Sequence, residues 1–155
     1  MYPRLFRKLR CAFVLLLSLF AVTAMADSSR SKVVDGVTIY LGIVPAEIMR
    51  GHPKEHPEGT MHGGGPRGEE QYHVMVALFD AKTGQRITDA DVKASVAGVG
   101  RTESPVTLEP MNIADTITYG NYFNMSGYGP FRIDLQIRRP STAHVIEARF
   151  EHKLQ

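Results

Sequence analysis

Apolar and polar positions alternate with a period of two along much of this chain, in short runs separated by turn residues. Phe131, Ile133, Leu135 and Ile137 interleave with Arg132, Asp134, Gln136 and Arg138, which describes a strand with one apolar and one polar face. Val33 to Val44 reads as a strand or pair of strands, with Asp35-Gly36 as a tight turn and Ile39, Leu41 and Ile43 alternating with Thr38, Tyr40 and Gly42. Gln71 to Asp80 differs. Its two sets, Tyr72, Val74, Val76, Leu78 and His73, Met75, Ala77, Phe79, are both largely apolar, so this strand is expected to be central and covered on both sides. Ile87 to Val99 carries another strand, Pro105 to Met111 a shorter edge-like piece, and Ala143 to His152 a last strand with His144, Ile146, Ala148 and Phe150 on one face. Tyr119 to Met125 and Phe131 to Arg138, joined by the Gly127–Pro130 turn, read as a hairpin-like pair. Residues 46–50 allow one helical turn before Gly51. About seven short strands and no long helix predict an all-β domain, an antiparallel immunoglobulin-like β-sandwich over residues 33–155.

The first 26 residues do not belong to that pattern. Arg4, Arg7, Lys8 and Arg10 precede an apolar run at 12–22 that is too short to span a bilayer, and Ala24-Met25-Ala26 follows as a small-x-small site. This predicts a cleaved signal peptide (1–26), export to the periplasm, no stable membrane insertion after cleavage, and a short disordered polar segment at 27–32. Removing residues 1–26 changes the chemistry. The single cysteine, Cys11, leaves with them, which excludes disulfides, thiolate zinc sites, iron–sulfur clusters and blue-copper centres. Four of the 18 basic residues leave as well and none of the 16 acidic ones, so the mature chain carries a formal −2. The basicity of the whole chain therefore belongs to the signal and gives no ground for a nucleic-acid partner.

The remaining chemistry is concentrated in residues 49–75, which hold four of the six histidines and three of the seven methionines. Pro53, Pro57 and the Gly63-Gly64-Gly65-Pro66 run predict an irregular loop over 49–70. Imidazole suits copper, zinc and iron, and thioether sulfur favours Cu(I), so a His/Met set without cysteine points to copper first. His52, His56, Met61 and His62 are the loop candidates, and His73 is the one histidine of the set placed by a strand. Against this, loop histidines are commonly just solvated, and Met75 and Met125 read as core filler. Enzyme signatures are absent: there is no nucleophile elbow, no H-E-x-x-H and no P-loop, and the neighbouring Glu69 and Glu70 would point apart on a strand.

Several phrases carry a family resemblance. The run VALFDAKTGQRITDADVKASV resembles the strand–turn–strand of YtkA-like and FixH-like periplasmic domains. Together with LEPM (Leu108 to Met111), YGNYFNM (Tyr119 to Met125) and GPFRIDLQIRRP (Gly129 to Pro140), the chain also resembles the periplasmic copper-binding proteins of bacterial high-affinity ferrous iron uptake. That resemblance implies an immunoglobulin-like sandwich with a surface copper site made by a methionine of an x-P-M motif and strand histidines. Carried over, the methionine is Met111 and the histidine after the long loop is His73, whereas the histidine before the family's Tyr-Gly pair is replaced here by Thr118. The expected function is a non-enzymatic, periplasmic metal-handling accessory protein. Its ligands would come from His73, Met111, His62, Met61, His52 and His56, with copper ahead of iron or zinc and a membrane transport or oxidase-assembly complex as partner. The alternative is an immunoglobulin-like domain that docks on a membrane complex through the long loop and holds no metal.

Overall fold

The computed structural model describes residues 30–50 and 70–154. The expected signal peptide and the loop candidates His52, His56, Met61 and His62 lie outside the described residues. Eight strands are present: β1 (Ser31–Val34), β2 (Val37–Pro45), β3 (Gln71–Asp80), β4 (Asp91–Gly98), β5 (Val106–Ile113), β6 (Thr116–Asn124), β7 (Phe131–Arg138) and β8 (Ile146–His152). One short helix, α1 (Ala46–Arg50), follows β2, as the sequence predicts. β1 begins at Ser31, inside the stretch expected to be disordered.

Every strand pairing is antiparallel, in the order β1-β2-β3-β6-β5-β4-β7-β8. The sheet folds on itself where β5 changes partner. Val106–Leu108 pair with β4, and Glu109–Ile113 pair with β6. One layer is therefore β1, β2, β3, β6 and the second half of β5, and the other is the first half of β5 with β4, β7 and β8. The two outermost strands meet through side chains, with Lys32 Nζ donating to the Arg149 carbonyl and lying 5.2 Å from the Phe150 ring centre. The expected immunoglobulin-like, sandwich-type β fold is observed, with eight strands in place of about seven.

The core lies between the layers. Val37, Ile39 and Leu41 of β2, Val74, Val76 and Leu78 of β3, and Tyr119 and Phe123 of β6 face Val92 and Val96 of β4, Ile133, Leu135 and Ile137 of β7, and Ile146 and Phe150 of β8. Met125 joins this core, as expected. Buried Tyr119 keeps its hydroxyl satisfied by accepting from the Ala90 N–H at 2.9 Å, which ties β6 to the approach to β4.

Two sequence expectations are corrected. Phe131–Arg138 does not form a hairpin with β6. β7 pairs with β4 and β8, while β6 pairs with β3 and β5, so the Gly127–Pro130 connection crosses between layers. Nor is the Pro105–Met111 piece an edge, because β5 is the strand the two layers share. Pro110, which has no N–H to give, sits beyond Leu108, where β5 has lost β4 and keeps a partner on one side only. β6 instead forms its hairpin with β5, closed by Ala114 and Asp115, both at positive φ (49° and 60°). That is the two-residue turn whose twist suits a hairpin, built without the usual Asn-Gly.

The β3–β4 connection opens with a carboxylate-centred turn. Asp80 Oδ1 accepts from the Thr83 N–H (2.8 Å), the Thr83 hydroxyl (2.9 Å) and the Lys82 N–H (3.1 Å), and Gly84 follows at φ 71°. These bonds, that from the Thr83 N–H first, hold the Asp80 carboxyl below its ordinary pKa. A carboxyl with a depressed folded-state pKa stabilises the fold above the unfolded value of about 3.9 and loses that contribution as pH falls through the folded value. Asp80→Asn is therefore expected to melt at a lower temperature than the parent chain at pH 7. The gap should close as pH drops below about 4 in thermal unfolding followed by circular dichroism.

Candidate metal centre

The inner face of β3 is fully buried aliphatic, so its alternate residues project from the outer face of the β2–β3–β6–β5 layer. The register arranges that face in cross-strand rows. Val44, His73 and Tyr122 form one row, and Gly42, Met75, Gly120 and Glu109 the next. Thr118 and Met111 are paired in the row beyond that. Paired residues in antiparallel strands share a face with Cα atoms about 4.5–5.5 Å apart. Gly120 thus stands in the middle of the patch without a side chain, with Met75 and Glu109 beside it along its row and His73 and Met111 in the flanking rows.

His73 and Met111 fill the space that Gly120 leaves. A methyl group at Gly120 would lie 2.8 Å from His73 Nε2 and 3.2 Å from Met111 Sδ, and would collide with Met111 Cε. Imidazole nitrogen and thioether sulfur therefore converge within 3.2 Å of one point over the β6 backbone. Both residues are only 1% exposed, yet neither belongs to the cluster between the layers. His73 also stacks on Tyr122, with centroids 4.7 Å apart and rings inclined by 28°, which fixes the plane in which its nitrogens point.

The sequence-predicted residues divide cleanly. His73 and Met111, 38 positions apart in the chain, are brought together. His52, His56, Met61 and His62 lie outside the described residues. The anchor points of their segment are described, because the pairs Val44–His73 and Pro45–Tyr72 place the end of β2 and the start of β3 beside His73. His144 is exposed, with Nε2 3.3 Å from Asp35 Oδ2 at the β1–β2 turn. His152, at the end of β8, is partly buried away from this face, and burial lowers its pKa.

Thr118 carries no imidazole, and its place is used differently. Its hydroxyl accepts from Arg86 Nη2 at 2.7 Å, while Arg86 Nε donates to the Ile117 carbonyl at 3.0 Å. The guanidinium lies 4.7 Å from the Phe79 ring centre. A fixed cation thus stands beside the Met111 row. A cleft of about 560 Å³ between the ends of β4, β6 and β7 is lined by no histidine or methionine and takes no part in this centre.

Three residues of the patch were missed from sequence: Gly120, Met75 and Glu109. A glycine inside a strand is a usable sign of close approach by another group. Met75, read as core filler, is half-buried on the outer face. Glu109 is exposed and is the sole carboxylate that the strand register places on this outer face among the described residues.

An eight-stranded β-sandwich with a buried His73–Met111 pair on the outer face of one layer is the class the fold and the geometry define. The family described as Fe2+ transport protein matches residues 77–152, a span that holds Met111, Thr118 and Gly120 and begins four residues after His73. The chain thus resembles the proteins of ferrous iron transport, as the x-P-M and Tyr-Gly phrases imply. Solved structures agree on the fold. FetP of uropathogenic Escherichia coli strain F11, as isolated after expression in the periplasm, is similar with a TM-score of 0.58 at 15% identity, over 80% of this chain and 91% of that one. A copper-bound variant of FetP gives 0.56 at 15% identity, over 79% and 92%. A DUF4426 family protein from Pseudomonas aeruginosa PAO1 gives 0.59 at 10% identity, over 80% and 94%. A search of curated proteins finds no match.

Gly120 is not among the glycines at positive φ, so space and not backbone conformation requires it. Gly120→Ala must displace Met111 and His73, and overpacking of this kind costs about 1–3 kcal/mol. We expect a lower melting temperature for Gly120→Ala in differential scanning calorimetry, where an unhindered strand glycine would gain stability from alanine.

Proposed function

We propose that this chain is a periplasmic, non-enzymatic metal-handling protein that serves ferrous iron uptake, with copper as its first ion and iron second. The observation that carries this reading is the convergence of His73 Nε2 and Met111 Sδ over Gly120. A nitrogen and a thioether, desolvated together and held by two strands, suit Cu(I) and tolerate Cu(II), whereas ions that demand oxygen donors would find too few. His73 is the strand-anchored imidazole and Met111 the soft ligand. His62 and Met61, with His52 and His56, complete the site from the segment between β2 and β3, whose ends leave and re-enter the sheet beside His73. The likeness to the ferrous iron transport family and to FetP supports the same role. In it the chain delivers or buffers the ion for a membrane transport complex.

Calorimetric titration of the mature protein with Cu(I), Cu(II), Zn(II) and Fe(II) tests the reading. The expected result is copper affinity well above that of a free histidine peptide, lost by at least about tenfold in His73→Ala and in Met111→Leu. Titrations no tighter than the peptide would end the metal reading. Tight binding that survives both substitutions would remove this pair from the site.

A further inference from the structure

We propose that a cleft at the far end of the β3 outer face from His73 binds a small monocarboxylic acid with a planar aromatic body, held by Arg86. The metal reading plays no part in this inference.

The register explains how the cleft forms. The pairing of β3 with β6 ends at Val76, and beyond it the chain returning at 85–87 takes the place of β6 beside β3. Phe79 faces Arg86 on that side and Thr38 of β2 on the other, while Tyr40 faces Ala77 in the next row. Ala77 and Phe79 share the parity of His73, so this row of side chains stands on the outer face. Ala77 is small, and a cleft of about 540 Å³ opens there, lined by Tyr40, Ala77, Phe79 and Arg86. Tyr40 meets Phe79 edge to face, with ring centres 5.5 Å apart and planes at 85°, and remains 50% exposed.

Arg86 supplies the one positive charge in this lining. Its side chain is anchored by the bonds to the Ile117 carbonyl and the Thr118 hydroxyl and by the Phe79 ring. Those bonds use two of its five N–H donors. No ion pair among the described residues engages it. Burial pushes its pKa below the ordinary arginine range, the direction expected of a cation short of counter-charge. Asp80, the acidic residue of the lining, has the opposite parity, paired with buried Val37, and its Oδ1 is taken by the Lys82–Thr83 turn. A guanidinium fixed on one edge and without a counter-ion is a receptor for a carboxylate, which its fork can meet with two parallel bonds.

The other walls select the body of the ligand. Two aromatic rings and an alanine offer apolar contact and no further cation, so a flat ring is matched there. A second anionic group would be left unpaired against apolar surface, which disfavours dicarboxylates and phosphate. The volume is in the range that small organic ligands occupy.

Benzoate is the probe, titrated into the mature protein without added metal and followed by amide-resolved NMR, with benzamide and inorganic phosphate as comparisons. Saturable shifts centred on Tyr40, Ala77, Phe79 and Arg86 are expected, with benzoate affinity at least about tenfold above that of either comparison. Arg86→Gln should lose at least about tenfold of that affinity. Because Arg86→Gln also removes the bond to Ile117, Ala77→Leu serves beside it: it fills the cleft, leaves Arg86 in place and should lose as much. Circular dichroism matching the parent shows that a loss of binding is not a loss of fold, and where Arg86→Gln fails to fold, Ala77→Leu decides. Benzamide binding as tightly as benzoate would remove the charge recognition, and phosphate binding as tightly would remove the aromatic class. Shifts scattered over surface lysines, or benzoate affinity unchanged in Ala77→Leu, would overturn the site. Line broadening at the same four residues that grows with protein concentration, with no benzoate present, would mean that a second copy covers this face and would also overturn it.

Discussion

The register of β3 against its neighbours is the constraint on which the outer face depends. Side chains alternate strictly, so burying Val74, Val76 and Leu78 between the layers obliges His73, Met75, Ala77 and Phe79 to face out. A slip of one residue would push His73 among aliphatic side chains and expose three residues whose burial contributes about 1.5–3 kcal/mol each. That penalty is larger than typical costs of rearranging a surface contact. The same logic holds across β6, where Tyr119 and Phe123 point inward and Gly120 outward. The core therefore sets the geometry of the centre. The donors are placed by hydrophobic burial elsewhere, which is the condition for a preorganised site and not one assembled by its ligand.

Much of this was legible in the sequence, and what was not follows from physical causes. β2, β3 and β7 announce themselves because their inner sets are unbroken runs of Val, Ile and Leu. The central place of β3 was legible too, but cover on both sides is only half met, since on its outer face His73 is buried and Met75, Ala77 and Phe79 are half-buried. β5 was misjudged because a strand at a fold between layers shows little alternation. Val106, Thr107, Glu109, Pro110 and Asn112 are all exposed although the strand is central. The Gly127–Pro130 turn looked like a hairpin because turn residues report that the chain reverses and not which strand it returns to. The real hairpin was hidden in Ala114-Asp115, where an alanine at positive φ is a choice that propensity alone does not suggest.

The candidate centre was half legible for a similar reason. The x-P-M phrase and the histidine after the long loop identified Met111 and His73 one at a time through resemblance. That they share a point in space depends on two pairings, β3 with β6 and β6 with β5, and on the absence of a side chain at the middle position. None of these is a local property of the chain. Gly120 looked like punctuation inside YGNYFNM, yet it is the residue that makes room for both donors.

The substitution at Thr118 shows how the face balances charge. Where the resemblance implies an imidazole, this chain has a hydroxyl bound to the Arg86 guanidinium, which brings a permanent positive charge to the row next to Met111. Coulomb repulsion from that charge scales with the charge of an incoming ion, so it opposes a divalent cation about twice as strongly as a monovalent one. Glu109, two residues before Met111, supplies the only opposite charge that the register places on the same face among the described residues. On the proposed reading, an ion held between His73 and Met111 would stand near that guanidinium, so a monovalent soft ion would have less repulsion to overcome there than a divalent one.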